Sequence, residues 1–194
     1  VLNGLLQRSV DGVVFNITPE LFDSEIIEIL KKFRAAVIVT TQPLNIPLDQ
    51  IVWDRTAAIF EIVSYLTGKG RRNIIHCGLE KDKTKNGEIR EQYKADAFLN
   101  GLKRNGLSCS GDNFVLFEYG SHPYDFESIR RVLEKELFEK KKKFDAILCC
   151  NDALAIFVSK MLKERGFKIP QDVAVVGYDD SYISQLFDIP LASV

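Results

Sequence analysis

Three polar residues stand directly beyond apolar, β-prone runs in this 194-residue sequence: Asn16 after Val13-Val14-Phe15, Asn151 after Ile147-Leu148-Cys149-Cys150, and Asp179 after Val175-Val176-Gly177-Tyr178. An amide both donates and accepts hydrogen bonds, and a carboxylate accepts from two vicinal hydroxyls. The trio therefore suits a polyhydroxylated ligand such as a sugar. If the runs are strands of a parallel sheet, these residues lie at its carboxyl ends, where such sheets bind ligands. The same positions also suit helix caps and turns, and position alone does not separate the two readings. Asp152 is expected to be the N-cap of a helix over Ala153–Arg165.

Catalytic chemistry finds little to work with. The only histidines are His76 and His122. His76 ends an apolar run, where packing explains it better than ligation, and no Gly-x-Ser-x-Gly elbow surrounds Ser121 beside His122. Gly68-Lys69-Gly70-Arg71-Arg72-Asn73 precedes a strand, whereas a dinucleotide loop follows one, and the P-loop pattern is absent. Asp179-Asp180 could face magnesium, but no phosphate cradle accompanies the pair. The expectation is a non-enzyme with no metal site and no cofactor.

The charge balance of 26 basic against 27 acidic residues, net −1, describes no polyanion-binding surface. With 46% apolar residues the chain can bury a real core, as one large domain or two small lobes. No window approaches the roughly 18 apolar residues of a membrane span, so a soluble protein is expected, without a membrane partner. Cys77, Cys109, Cys149 and Cys150 are too few for a disulfide scaffold. Free thiols in a reducing cytoplasm are the better reading. Lys140–Lys143 reads as the solvated end of a helix.

Positioning the trio requires the elements between them. Short β-rich runs alternate with amphipathic stretches from end to end, the pattern of repeated βαβ units, so the fold class is α/β with parallel sheets. Strands are expected over Gly12–Phe15, Ala36–Thr40, Ile51–Trp53, Asn73–Cys77, Phe114–Phe117, Ala146–Cys150 and Val173–Val176. Helices are expected after Pro19 with Thr18 as cap, from Ala58 to Gly68, and over Glu91–Asn105, Phe126–Lys140 and Asp152–Arg165. Leu44–Leu48 reads as a loop, and Lys81–Arg90 as a mobile one.

Several segments together resemble the effector-binding region of the lactose-repressor/galactose-repressor (LacI/GalR) transcription regulators. They are Val10-Asp11-Gly12-Val13-Val14, Tyr65 through Ile74 (with Arg71 where the family has His), and Ala97-Phe98 through Gly106. The most specific are Asp145 through Ala155, then Ile169-Pro170-Gln171-Asp172-Val173 and Val176-Gly177-Tyr178-Asp179-Asp180. The resemblance implies a periplasmic-binding-protein-like type I fold, two lobes that hinge around a small molecule. Residues 1–52 would be part of the N-terminal lobe and residues 53–194 the C-terminal lobe. It further implies an internal fragment, with a DNA-binding helix-turn-helix expected upstream, so that operator DNA is reached only through that missing domain.

Residue by residue, the resemblance assigns ligand contacts to Asn16, Asn151 and Asp179. The family's clamping arginine falls on Lys94, which cannot make the planar two-point contact of a guanidinium, and Arg90 is the nearby substitute. Tyr119, Tyr124 and Trp53 are candidates for the stacking aromatic, and Thr40 stands where some members have an acidic contact. Ile156, Leu186 and Phe187 fall on the family's dimer interface, or equally on the core. The expected function is a sugar-responsive, cytoplasmic, homodimeric regulator of transcription. The alternative is a periplasmic sugar-binding protein of an uptake or sensing system.

Overall fold

Parallel strands need crossover connections long enough to hold a helix, and the alternation of runs in this chain supplies them. The computed structural model describes residues 2–17, 23–82, 88–89, 92–118, 126–186 and 191–194. The chain divides into two units, residues 1–55 and 56–194. In the first, β1 (Gly12–Asn16), β2 (Ala35–Thr40) and β3 (Asp49–Val52) form a parallel sheet in the order β1-β2-β3. Helices α1 (Leu2–Gln7) and α2 (Ser24–Leu30) supply Leu5, Leu6, Ile26 and Ile29 to a small core around Leu30, Phe33 and Ile38.

The cap of α2 is Asp23, whose carboxylate accepts from the Ile26 amide at 2.8 Å. The expected cap, Thr18, lies outside the described residues, and the described helix begins at Ser24. The loop over 44–48 is closed by the Gln50 amide, which accepts from Leu44 N and donates to Leu44 O, both at 2.8 Å. Strand β3 ends at Val52, so Trp53 stands just beyond it.

In the second unit, β4 (Ile74–Asp82), β6 (Phe114–Glu118), β7 (Ala146–Cys149) and β8 (Ala174–Val176) run parallel in the order β6-β4-β7-β8. All four residues of β7 are buried, as expected of a parallel strand covered on both faces. The two-residue period sends Ile75, Cys77, Ile147, Cys149 and Val175 toward α5 (Phe126–Leu133) and α6 (Asp152–Glu164), where Leu133, Val158 and Leu162 meet them. Ile74, Phe114, Leu148 and Val176 pack instead with Ile59 and Val63 of α3 (Arg55–Gly68) and Phe98 and Leu102 of α4 (Gln92–Arg104). The Asp145 carboxylate aligns β7 with β4 by accepting from the Arg72 amide at 2.9 Å and the Asn73 amide at 3.0 Å.

Three sequence expectations change here. The stretch over 81–90 is not all loop: Lys81 and Asp82 extend β4 and pair antiparallel with β5 (Glu88–Ile89), a polar hairpin that carries no apolar signal. The helix expected over Phe126–Lys140 is α-helical only to Leu133 and continues over Glu134–Glu139 in π geometry. Lys142 is not part of a solvated helix end. Its side chain is 11% exposed, and its ammonium donates to the carbonyls of Phe114 at 2.7 Å and Asp112 at 3.1 Å, tying the π segment's exit to β6. Burial, the largest influence, lowers the Lys142 pKa against the opposing pull of Glu136 and Asp112. No helix among the described residues is long and apolar enough to cross a membrane.

Candidate functional site

The strand ends of the second unit surround a cavity of about 650 Å³. Gly78 and Glu80 of β4, Phe117 and Glu118 of β6, Cys150 and Asn151 after β7, and Asp179 after β8 all reach it. Its side wall comes from α5 and α6, where the rings of Phe126 and Phe157 stack with centroids 5.4 Å apart. A mainly apolar concavity edged by a few directed polar groups is the usual form of a small-molecule site. Gly78 makes the approach possible. Its φ of +110° and the register shift beside it bend β4, and a Cβ there would overlap the Cys150 sulfur and the Leu154 side chain.

Asn151 is the N-cap of α6: its backbone is extended, and its Oδ1 accepts from the Leu154 amide at 2.8 Å. The sequence reading gave that cap to Asp152, and the structure moves it one residue earlier. Both residue types cap well, so the order Asn-Asp does not decide between them. With Oδ1 occupied, Asn151 keeps its Nδ2 group for other partners, and among the described residues that group has none.

Asp179 is exposed, with φ +94°, and its backbone amide donates to Val194 O at 2.7 Å. Among the described residues its carboxylate accepts no hydrogen bond. Among the described residues, the Asn151 amide donor and the Asp179 carboxylate of this cavity thus have no partner. Asp152, by contrast, is buried and fully engaged by Ser181 and Ser193.

Of the remaining candidates, Asn16, Thr40 and Trp53 belong to the first unit. Asn16 ends β1 in the first unit and is exposed. Thr40, buried at the end of β2, donates its hydroxyl to Gln42 O at 3.2 Å. Trp53 is exposed, with the Arg55 guanidinium 4.7 Å from its ring centroid. Lys94 is buried in α4 and does not line the cavity; its ammonium is 6.0 Å from the Tyr93 ring. Arg90, Tyr119, Tyr124 and Phe187 lie outside the described residues, as does the Leu186 side chain, while Ile156 is half-buried on α6.

Sequence reasoning missed Phe117, Phe126, Phe157 and Cys150 as cavity residues. Three of them are ordinary apolar members of a strand end or a helix face, and only their convergence in three dimensions marks them. His76 is buried in the core beside Phe98, with ring centroids 5.3 Å apart, as the packing reading expected. Among the described residues no group of three His, Cys, Asp or Glu side chains could hold a metal ion.

Residues 63–194 match the family model of the periplasmic binding protein-like domain. The chain is 26% identical over 196 residues to the HTH-type transcriptional repressor PurR of Mannheimia succiniciproducens, covering 100% of this chain and 54% of that protein. It is 26% identical over 201 residues to catabolite control protein A of Priestia megaterium, covering 100% and 55%. The chain thus spans about half the length of the curated relatives it matches. A LacI family transcriptional regulator from Lactobacillus casei, solved with bound glucose, superposes with a TM-score of 0.73 at 25% identity, covering 99% of this chain and 68% of that one. The cavity at the carboxyl strand ends, the ordered segments on which the resemblance rests and these matches agree: the chain belongs to the periplasmic binding protein-like domain family, in the form that serves LacI-type transcriptional regulators as their effector-binding region.

Proposed function

We propose that the second unit's cavity binds a sugar or sugar derivative, and that this binding controls the attachment of the full-length protein to operator DNA. The observation that carries the reading is the joint placement of Asn151 and Asp179 on one cavity with the stacked Phe126 and Phe157 rings. Aromatic faces suit the C–H face of a sugar, while the amide and carboxylate suit its hydroxyls. The glucose in the Lactobacillus casei regulator supports the ligand class. DNA is contacted by a helix-turn-helix head outside this chain, in a cytoplasmic homodimer, and the protein uses no cofactor and performs no turnover. Ile156, half-buried on α6, belongs to the dimer interface rather than the core. Ligand can shift DNA binding only by its differential affinity for the DNA-competent and DNA-incompetent states of the full-length protein.

The test is a thermal-shift panel of pentoses, hexoses, disaccharides, their phosphates and purines. At least one saccharide is expected to raise the unfolding midpoint by several degrees, as saturating ligand does. Stabilisation by purines alone, or by no panel member, contradicts the sugar reading.

A further inference from the structure

Asp152 is among the most thoroughly engaged polar groups of the second unit, and the ligand reading does not use it. Its carboxylate sits in the first turn of α6 and is 1% exposed. Oδ2 accepts from both the amide and the hydroxyl of Ser181, each at 2.6 Å, and Oδ1 accepts from the hydroxyl of Ser193. These donors come from two separate segments: the turn that leads from β8 into α7 (Tyr182–Leu186), and the residues over 191–194. The same two segments are joined to each other. Gly177 N donates to Ala192 O at 2.8 Å, Asp179 N to Val194 O at 2.7 Å and Asp180 N to the Ser193 hydroxyl at 2.9 Å, while Val176 and Ala192 form a parallel bridge.

Gly177 is the complement of this arrangement. A Cβ there would overlap Asp152 Oδ1, so the chain passes the carboxylate only where it has no side chain. Asp179 and Asp180 then turn through positive φ, +94° and +40°, a conformation costly for non-glycine residues that persists only where the surroundings enforce it. The enforcing contacts are the hydrogen bonds just named.

We infer that Asp152 is the positioning residue of the site: its carboxylate fastens the 177–181 turn and residues 192–194 to α6, and so holds Asp179 against the cavity opposite Asn151. The functional consequence rests on the sugar reading above; the positioning itself does not. Asn151 and Asp152 thus divide the first turn of α6, the former facing ligand and the latter fixing the ligand's other partner.

Amide hydrogen exchange on the chain tests this without any ligand. In Asp152→Ala, the amides of Gly177, Asp179 and Ser181 are expected to exchange on the order of tenfold to a hundredfold faster, the effect of losing hydrogen bonds to a buried charge. Amides of β4 and β7 keep their wild-type protection. Asp152→Asn restores most of the local protection, because its amide oxygen accepts from Ser181 and its NH2 group meets the Ser193 hydroxyl. Should Asp152→Ala not fold, Ser193→Ala removes one donor to Asp152 and the acceptor of the Asp180 amide, and is expected to show the same local pattern at smaller size.

Wild-type exchange at 177–181 in Asp152→Ala or Ser193→Ala overturns the inference. So does acceleration spread evenly over β4 and β7, which marks a general stability role. The expected exchange pattern in a chain that no saccharide stabilises supports the positioning and overturns the sugar reading, so the two fail separately.

Discussion

Asp179→Ala is expected to abolish saccharide-induced stabilisation while leaving the unliganded fold in place. A ligand at a hundred times its dissociation constant stabilises by about 2.7 kcal/mol, a midpoint rise of about 5–10 °C for a chain of this size. Asp179 lines the cavity and its carboxylate accepts no hydrogen bond from the described residues, so a pair of vicinal hydroxyls would find both its oxygens available. Each charge-assisted bond contributes about 1.5–3 kcal/mol, and losing the group should weaken affinity on the order of a hundredfold. At the same ligand concentration the midpoint rise then shrinks to about 1 °C. Because Asp179 has φ +94°, alanine also adds a backbone cost of about 1 kcal/mol. Asp179→Asn, whose side chain tolerates the left-handed region, carries the same ligand test without that cost. A midpoint rise equal to wild type in both variants removes Asp179 from the site.

The second large effect is acid sensitivity centred on His76. Its ring is buried between α4 and β4, Nδ1 has no hydrogen-bond partner among the described residues, and its pKa is lowered from 6.5 to about 3. Burial is the main cause, and the positive charge of Lys94 adds to it. Above pH 6.5 the histidine is neutral in both folded and unfolded chains and favours neither. As pH falls below 6.5, the unfolded chain takes up a proton that the folded chain refuses, so stability drops progressively until about pH 3. The full difference is on the order of 5 kcal/mol. Urea titrations between pH 7 and 4 should therefore show falling stability. His76→Leu, similar in volume and without the unpartnered nitrogen, should flatten the slope by about one proton and be neutral or stabilising at pH 7. An unchanged slope in that variant contradicts the buried neutral histidine.

Much of this architecture was legible because parallel strands covered on both faces write themselves as apolar runs. Ala146–Cys149 and Ile74–Cys77 are such runs, and both are central strands. The elements that escaped are short or polar. α1 and α7 span 6 and 5 residues and carry no sustained helical period, and the hairpin of β5 with the end of β4 contains mostly charged residues. In the site, the polar residues after β7 and β8 could be named from the rule that ligands gather at carboxyl strand ends. The distinct duties of Asn151 and Asp152 could not be, because adjacent capping residues compete for one position and the outcome depends on Ser181 and Ser193, remote in sequence. The phenylalanines of the cavity wall were equally hidden, since a ring on an amphipathic helix reads as core. Lys94, on which the family's clamping arginine falls, is buried in α4 and is not among the residues lining this cavity.

The most direct measurement is a map of amide chemical-shift changes in the isotope-labelled chain as a stabilising saccharide is titrated in. The expected changes centre on Gly78, on Cys150 through Leu154 and on Asp179 through Ser181, and in Asp179→Asn they require on the order of a hundredfold more saccharide. Saturable changes confined to other surfaces, with these amides silent and Asp179→Asn responding like wild type, would contradict binding in the strand-end cavity.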